Sequence, residues 1–184
     1  MKNLLVLALL IPSLSFGQRF EVSEQAGYNV VNSFLGDSNP IRGFTNQVSF
    51  SYHHTKHFSV SAFYELNAWE ERKAIIDNIH SLGIMPDFTS KYFNAGMSIR
   101  LAYLGSVYTP YTNYNYKTSL GYGVHIGSKQ RIYKRLSAVE QVGYDRINAH
   151  GSYPAIAYIR EPRKIPVTQF VSVYYLCAGL SYGL

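Results

Sequence analysis

The sequence predicts an all-β protein, an up-and-down antiparallel transmembrane β-barrel of about eight strands. Three observations favour this fold. Several segments alternate between apolar and polar residues, the period of two that gives a strand two different faces. These segments run for about ten to twelve residues, the length that a tilted membrane strand requires. The composition is rich in aromatic residues, with 17 Tyr and 10 Phe, and it contains 14 Gly.

The alternation is clearest between residues 44 and 69. In Phe44–His53 most apolar side chains fall on even positions and the polar ones on odd positions. Phe58–Trp69 repeats the pattern, and the polar residues His54–His57 form a tight turn between the two segments. Two strands that each have one apolar face, joined by a short polar turn, predict a β-hairpin.

Five further segments and one short piece complete the predicted barrel. They are Phe20–Val31, Lys91–Tyr103, the short piece Ser106–Thr109, Thr118–Gly127, Leu136–Arg146 and Thr168–Leu184. The connections between the strands are unequal, because Glu70–Ser90 and Ile147–Val167 are long. The first of these has room for a short amphipathic helix with Ile75, Ile79 and Leu82 on one stripe.

The apolar faces are predicted to point outward and to form a belt about 25 Å tall. The belt residues include Val48, Phe50, Val60, Tyr64, Met97, Ile99, Leu120, Val124, Leu176 and Leu180. Glu24 and Glu140 interrupt this belt. A charge that faces lipid is unfavourable. Each residue is therefore turned inward by a β-bulge or lies near an interface, or the protein is not in a membrane, and the sequence leaves these three readings and the question of lipid contact open. The alternative to a membrane barrel is a soluble lipocalin-like barrel, whose apolar face would line an internal cavity.

Three charged or titratable residues are predicted to point into the lumen. Glu65, Arg100 and His125 fall on the polar faces of their strands. An eight-stranded barrel has an interior just wide enough for side chains to fill, and charges buried there must pair. This pattern favours a polar network that closes the lumen. A gated proton or ion path is the functional alternative.

The start of the chain predicts a secretory signal peptide in residues 1–17, followed by one barrel domain in residues 18–184. A short basic start precedes the apolar run Leu4–Ile11, which Pro12 ends. The small residues Ser15 and Gly17 then suit cleavage after Gly17. The alternative is a short buried core segment, because the run is too short to span a bilayer as a helix.

The charge and the remaining motifs narrow the partners and cofactors. The net charge of +6 suits anionic lipid headgroups, whereas nucleic acid is not expected because the Lys and Arg residues are scattered. A single Cys excludes an internal disulfide. His53, His54 and His57 cluster at a turn, but structural zinc needs four ligands and no Cys or carboxylate lies beside them. We therefore expect no metal and no cofactor.

One motif raises the possibility of catalysis. His150-Gly151-Ser152, followed by Glu161, resembles the His-x-Ser pair and later Glu of the lipid A 3-O-deacylases, which are eight-stranded outer-membrane barrels. In such a triad the His takes the Ser proton and the carboxylate orients the His. The context departs from that family, because Tyr153-Pro154 follows the serine. We expect no catalytic role and keep a lipid A-modifying hydrolase as the alternative function.

The last strand carries a second resemblance. From Thr168 to Leu184 the residues alternate to the end of the sequence, which resembles the C-terminal assembly signal of Gram-negative outer-membrane barrels. With the signal peptide and the alternating strands, the chain resembles the small outer-membrane barrels of the OmpA/OmpX type, without a peptidoglycan-binding domain. With the N-terminus in the periplasm, the tight turn falls inside and both long connections fall outside, as in such barrels.

The resemblance implies a location in the cell outer membrane and a set of partners. These are outer-membrane lipids, lipopolysaccharide, the barrel assembly machinery and an unknown surface partner. The function it implies is that of a non-enzymatic surface anchor or binding protein with a closed polar lumen. A subunit of a larger envelope complex is a further alternative.

Overall fold

Within the part of the chain that the structure describes, eight long strands close into an antiparallel up-and-down barrel, and three short strands extend it at one end. The computed structural model describes residues 20–32, 40–69, 75–76, 78–90, 93–108, 113–154 and 164–184. The strands are β1 (Phe20–Asn32), β2 (Ile41–His53), β3 (Phe58–Trp69), β4 (Ile75–Ile76), β5 (Ile79–Thr89), β6 (Asn94–Tyr103), β7 (Ser106–Tyr108), β8 (Asn113–Tyr116), β9 (Ser119–Tyr133), β10 (Leu136–Pro154) and β11 (Lys164–Gly183). Within these ranges no helix has the length and hydropathy needed to cross a bilayer. The predicted signal peptide lies outside the described residues.

The barrel closes because the last long strand pairs with the first. β11 runs antiparallel to β1, from Gly183 opposite Glu21 to Ser172 opposite Asn32. A path that crosses every wall strand along the register returns to β1 ten residues beyond its start. Its residues are Val22, Phe50, Ala62, Ile84, Ile99, Tyr122, Arg146, Ser172 and Asn32. This stagger means that the strands are strongly tilted relative to the barrel axis.

The two ends of the barrel differ in their connections. One end, here the terminal end, carries the start of β1, the end of β11 and the tight turns between wall strands. In the turn after β2, the Thr55 hydroxyl accepts hydrogen bonds from the backbone N–H groups of His57 (3.2 Å) and Phe58 (3.0 Å). The turn before β10 has Lys134 at φ 29°, in the left-handed region that two-residue hairpins use. The opposite, distal end carries β4, β7 and β8.

The segment Ile79–Thr89 corrects the prediction of a long connection with a short helix. It forms the wall strand β5, which pairs with β3 on one side and with β6 on the other. The pairing with β6 runs from His80 to Ile84 and resumes at Asp87. The gap falls around Pro86, which has no N–H to donate to the ladder. Residues 70–74 and 77 lie outside the described residues.

Two further predictions about the strands were wrong. The short piece at Ser106 is not a wall strand, because β7 pairs with β8 and β4 rather than with the barrel. The predicted connection Ile147–Val167 is largely strand. β10 and β11 stay paired from Leu136 opposite Tyr182 to Pro154 opposite Lys164. The predicted number of wall strands is nevertheless confirmed, because β5 takes the place given to the short piece.

The outer face of the barrel is an apolar belt, as predicted. All ten belt residues named from the sequence are exposed, from 37% for Val60 to 64% for Leu176. Glu24 and Glu140 also point outward. Glu24 accepts a hydrogen bond from Asn46 and Glu140 one from Ser128, each at 3.4 Å. The exposed apolar face excludes the soluble lipocalin-like alternative, in which these side chains would fill the interior.

Candidate functional site

The lumen is filled by the side chains on the inward face of each wall strand. Halfway along the barrel axis this face is mostly polar. The strand β9, which pairs with the strand of Asp145, has glycine at the positions where the neighbouring side chains need space. Asp145 lies across the register from Gly123 of β9, and a Cβ atom at Gly123 would overlap the Asp145 carboxylate. A Cβ atom at Gly121 would lie 3.0 Å from Cγ of Arg100. The two glycines therefore leave the volume that a guanidinium and its carboxylates occupy.

Arg100 is the centre of a buried ion network, which we call the charge layer and define as Glu65, Arg100 and Asp145. Its Nη1 donates to Oε1 of Glu65 and its Nη2 to Oδ1 of Asp145, each at 2.7 Å. The Arg100 and Glu65 side chains are 2% exposed and that of Asp145 is 1% exposed. Charges removed from water in this way are tolerated only when they are paired and hydrogen-bonded.

Neutral side chains complete the charge layer. Ser98 Oγ accepts a hydrogen bond from Arg100 Nη2 at 3.0 Å. On the other side, Asn67 donates to Glu65 at 2.6 Å and accepts from Asn29 at 2.6 Å. The Arg100 guanidinium also lies 5.0 Å from the centre of the buried Phe63 ring. Side chains from β1, β3, β6 and β10 thus meet across the lumen and fix one another.

A buried contact between a histidine and an aspartate lies closer to the terminal end than the charge layer. His125 Nε2 is 2.5 Å from Oδ1 of Asp87, and both side chains are buried. Gln141 receives a hydrogen bond from Gln25 at 3.3 Å and donates one to the Tyr175 hydroxyl at 3.1 Å. These contacts link β1, β10 and β11 across the lumen, so the polar filling extends below the charge layer.

The distal part of the lumen is apolar instead. Nine buried side chains, none more than 6% exposed, form a cluster that we call the distal apolar cluster. Its members are Val31, Ile79, Ala102, Leu104, Tyr116, Ile147, Ala149, Val171 and Val173. The cluster lies on the distal side of the charge layer. On β6, which runs towards the distal end, Ala102 follows Arg100 by two residues. Close packing of apolar side chains of this kind leaves little room for water among them.

The terminal end is open by contrast. A pocket of about 1070 Å³ occupies the mouth of the barrel. It leads to a throat of only about 40 Å³, lined largely by Ser, Thr, Gln and Asn. Glu21, His53, Thr89 and Lys129 line both spaces, so the two are continuous. The throat has room for water but not for a larger solute.

The predicted lumen residues are divided between the charge layer and the His125–Asp87 contact. Glu65 and Arg100 meet in the charge layer, whereas His125 pairs with Asp87. Sequence reasoning missed Asp145 and Asp87 as their partners. Asp145 shares the inward parity of Gln141 on β10, and this parity could have identified it. Asp87 gave no such signal, because its segment was interpreted as a connection.

Two of the three candidate catalytic residues, His150 and Ser152, lie among the described residues. His150 lies on the exposed face of β10, and its Nδ1 is 3.2 Å from the Thr168 hydroxyl. Ser152 has the same parity on β10 and lies opposite Pro166. Glu161 lies outside the described residues. His150 and Ser152 therefore sit on a paired strand rather than in the outer loop predicted for them.

The histidines near the first turn engage separate partners. His53 Nε2 lies 3.5 Å from a Glu21 carboxylate oxygen, and His57 Nδ1 lies 3.0 Å from the backbone oxygen of Thr89. Within the part of the chain that the structure describes, no three His, Cys, Asp or Glu side chains are grouped to hold a metal ion.

Solved structures of several small outer-membrane barrels share this fold. Neisserial surface protein A matches with a TM-score of 0.63 and 19% identity, over 90% of this chain and 97% of that one. The outer membrane protein AlkL, solved in DMPC bilayers, matches with a TM-score of 0.57 and 10% identity, over 92% of each chain. OprG from Pseudomonas aeruginosa matches with a TM-score of 0.52 and 10% identity, over 91% of this chain and 97% of that one. Similarity at such identities shows the fold alone.

No protein-family model matches the sequence, and no curated protein does. The class is nevertheless defined. A closed wall of eight strands with an outward apolar belt is the architecture of the small outer-membrane β-barrel proteins. The predicted fold is confirmed, and the outward apolar belt agrees with the predicted location in the outer membrane.

Proposed function

We propose that this protein is a non-enzymatic barrel that anchors a rigid binding surface outside the cell. The observation that carries the proposal is the length of its last hairpin. β10 has 19 residues and β11 has 20, whereas a tilted strand needs about 9–11 residues to cross the membrane. The excess lies at the distal end, which is the outer end when both chain ends face the periplasm.

The extension is a sheet held to the barrel rather than a set of loose loops. β8 pairs with β10 through Gly151 and Ser152, β7 pairs with β8, and β4 pairs with β7. Side chains reinforce this sheet. The Tyr116 hydroxyl donates to Oε1 of Gln169 at 3.0 Å, and Ser106 donates to Oδ1 of Asn115 at 2.9 Å. A pre-formed sheet loses little conformational entropy when it binds a partner, which favours recognition.

The filled lumen supports an anchor rather than a channel. A solute entering from the outer end meets the distal apolar cluster, and below that cluster the charge layer spans the lumen. The proposed surroundings are outer-membrane lipids at the belt, lipopolysaccharide around the outer rim, and a surface partner on the sheet. The barrel assembly machinery would insert the chain.

Cysteine labelling on intact cells tests the orientation. Cys177 is the single cysteine and is buried, so Cys177→Ser supplies a background without thiols. In that background, Thr168→Cys on the extension should react with a membrane-impermeant maleimide on intact cells. Thr55→Cys in the terminal-end turn should react only after permeabilisation. Labelling of Thr55→Cys on intact cells would contradict the proposed orientation.

Two assays test the proposed activity. The purified protein in planar bilayers should show no steady conductance, and a stable pore in the wild type would refute the anchor. Lipid A from cells that express the wild type or Ser152→Ala should have the same mass spectrum. Loss of an acyl chain with the wild type and not with Ser152→Ala would make the protein a hydrolase.

A further inference from the structure

The pocket at the terminal end is strongly basic. Among the described residues, five cationic side chains from the turn after β2, the end of β9 and the turn before β10 line it, together with one carboxylate side chain, that of Glu21. The cations are Lys56, Lys129, Arg131, Lys134 and Arg135. Because three separate segments converge on one concavity, their positive potential is focused there rather than spread over the surface.

The Glu21 carboxylate is already engaged. Glu21 contacts the Lys129 ammonium, and its second neighbour is His53 at 3.5 Å. Lys56, Arg131 and Arg135 form no ion pair with any described residue, and neither does Lys134, whose ammonium lies 5.4 Å from the centre of the Tyr133 ring. Four cationic groups therefore face the same pocket without an internal counter-ion among the described residues.

Neutral donors complete the lining. Thr55, Thr89, Ser90 and Ser137 bring hydroxyl groups to the pocket. Thr55 Oγ1 accepts from two backbone N–H groups, at 3.0 and 3.2 Å, which leaves its own proton to donate. Guanidinium forks with hydroxyl donors beside them are the groups that bind phosphate oxygens most effectively.

We propose that this pocket binds an anion that carries one or more phosphate groups. The two sources of such chemistry at this end of the barrel are a soluble phosphate compound and the headgroup of an anionic phospholipid. The ligand stays in the mouth, because the pocket of about 1070 Å³ narrows to a throat of about 40 Å³. Glu21 acts as an internal competitor, since it occupies the ammonium of Lys129.

The test uses the whole protein in nanodiscs of zwitterionic phosphatidylcholine, titrated calorimetrically with inorganic pyrophosphate at low salt. We expect saturable binding, at least tenfold weaker in Arg131→Gln/Arg135→Gln. The matched control, Arg42→Gln/Lys117→Gln, removes the same charge from residues outside the pocket and should stay within twofold of the wild type. Equal weakening in both double variants, or no saturable binding by the wild type, would overturn the proposal.

Two further variants make the outcome independent of any one substitution. Lys56→Gln/Lys134→Gln should weaken pyrophosphate binding in the same way, so a folding defect in the arginine variant would not hide the effect. Glu21→Gln should bind pyrophosphate more tightly than the wild type, because the competing carboxylate is gone. Weaker binding by Glu21→Gln, with the barrel intact by circular dichroism, would contradict the assigned role of Glu21.

Anionic lipid in the disc separates the two sources. If a headgroup occupies the pocket, replacing part of the phosphatidylcholine with phosphatidylglycerol should weaken pyrophosphate binding by the wild type at least fivefold. If the pocket takes soluble anions only, the affinity should change less than twofold beyond the change seen when a phosphate-free anionic lipid supplies the same surface charge to the disc. Both results support the phosphate site, and they identify its ligand.

Discussion

The charge layer and the distal apolar cluster fill the same lumen by opposite means. On β6 the inward position changes from Arg100 to Ala102 in one step of the strand, and on β10 it changes from Asp145 to Ile147. The charge layer depends on particular partners at hydrogen-bond distance. The distal apolar cluster depends on volume and shape. The lumen of one barrel can therefore be closed by ion pairing or by apolar packing. The two regions should respond differently to substitution.

The effect of a carboxylate on the stability of the barrel depends on whether its side chain points into the lumen or outward. Glu65 and Asp145 point inward and share one guanidinium. Glu24 and Glu140 point outward, and each receives one neutral hydrogen bond at 3.4 Å. Removing the partner of a buried, paired carboxylate strongly destabilises the fold, whereas an outward carboxylate beside lipid destabilises it only modestly.

The largest effect is expected from removal of the cation of the charge layer. Arg100→Met keeps much of the side-chain volume but leaves Glu65 and Asp145 buried without a counter-charge. The expected loss of stability is about 3–5 kcal/mol, the range for breaking one side of a buried ion pair. Guanidinium unfolding of the protein folded into phospholipid vesicles, followed by the fluorescence of the single Trp, measures it.

The triple variant Glu65→Leu/Arg100→Met/Asp145→Leu is the control for this result. Replacing a whole buried ion network with apolar groups is often neutral or stabilising. It should therefore recover most of the stability lost in Arg100→Met. A triple variant as unstable as Arg100→Met would show that the volume of these side chains matters more than their charge, and the contrast between pairing and packing would fail.

A smaller effect is expected in the distal apolar cluster. Ile147→Ala and Ile126→Ala remove the same atoms from side chains that are 1% and 53% exposed. Both lose transfer free energy, because both side chains leave water when the barrel folds into the membrane. Only Ile147→Ala leaves a cavity, since lipid chains refill the space at Ile126. We expect Ile147→Ala to be the less stable variant by about 1–2 kcal/mol.

The same unfolding assay compares the two isoleucine variants directly. Equal stabilities would mean that the distal apolar cluster rearranges to fill the space. The cluster would then be loosely packed, and its role as a barrier in the lumen would be weakened.

The contrast between the two regions also explains which strands the sequence predicts. β3 was predicted at its observed bounds, because its inward face is polar except at Phe63 and its outward face is apolar along most of its length. The pattern fails where a strand enters the distal apolar cluster. On β10 the inward residues Ile147 and Ala149 are apolar, and the outward residues Asn148 and His150 are polar. Beyond Arg146, where the predicted strand ended, apolar residues therefore point inward and polar residues outward, which reverses the pattern used for the prediction.

β5 was missed for the same reason. Its inward face includes the apolar Ile79 and Met85, and Pro86 breaks the ladder with β6. The site residues could be predicted only where the strands that carry them were predicted. Glu65 and Arg100 were placed in the lumen by parity, but parity gives no distances and did not single out Asp145. The basic pocket could not be predicted at all, because its cations come from segments whose convergence depends on the closure of the barrel.

The smallest effect is expected from a carboxylate on the outer face. Glu140 is exposed on β10, opposite Ala178 of β11, and its side chain receives a hydrogen bond from Ser128 at 3.4 Å. Glu140→Leu removes a charge beside lipid and adds apolar surface, so the barrel should become more stable by about 0–1 kcal/mol, the range for a charge near the membrane interface. Glu140→Gln separates the two contributions, because it removes the charge without adding apolar surface and keeps an oxygen that can accept the hydrogen bond. Both variants are measured in the vesicle unfolding assay beside Arg100→Met. If Glu140→Leu instead lost stability comparable to that of Arg100→Met, the outward carboxylate would be a structural constraint of the same kind as the inward ones. The distinction between the two faces of the wall would then not hold.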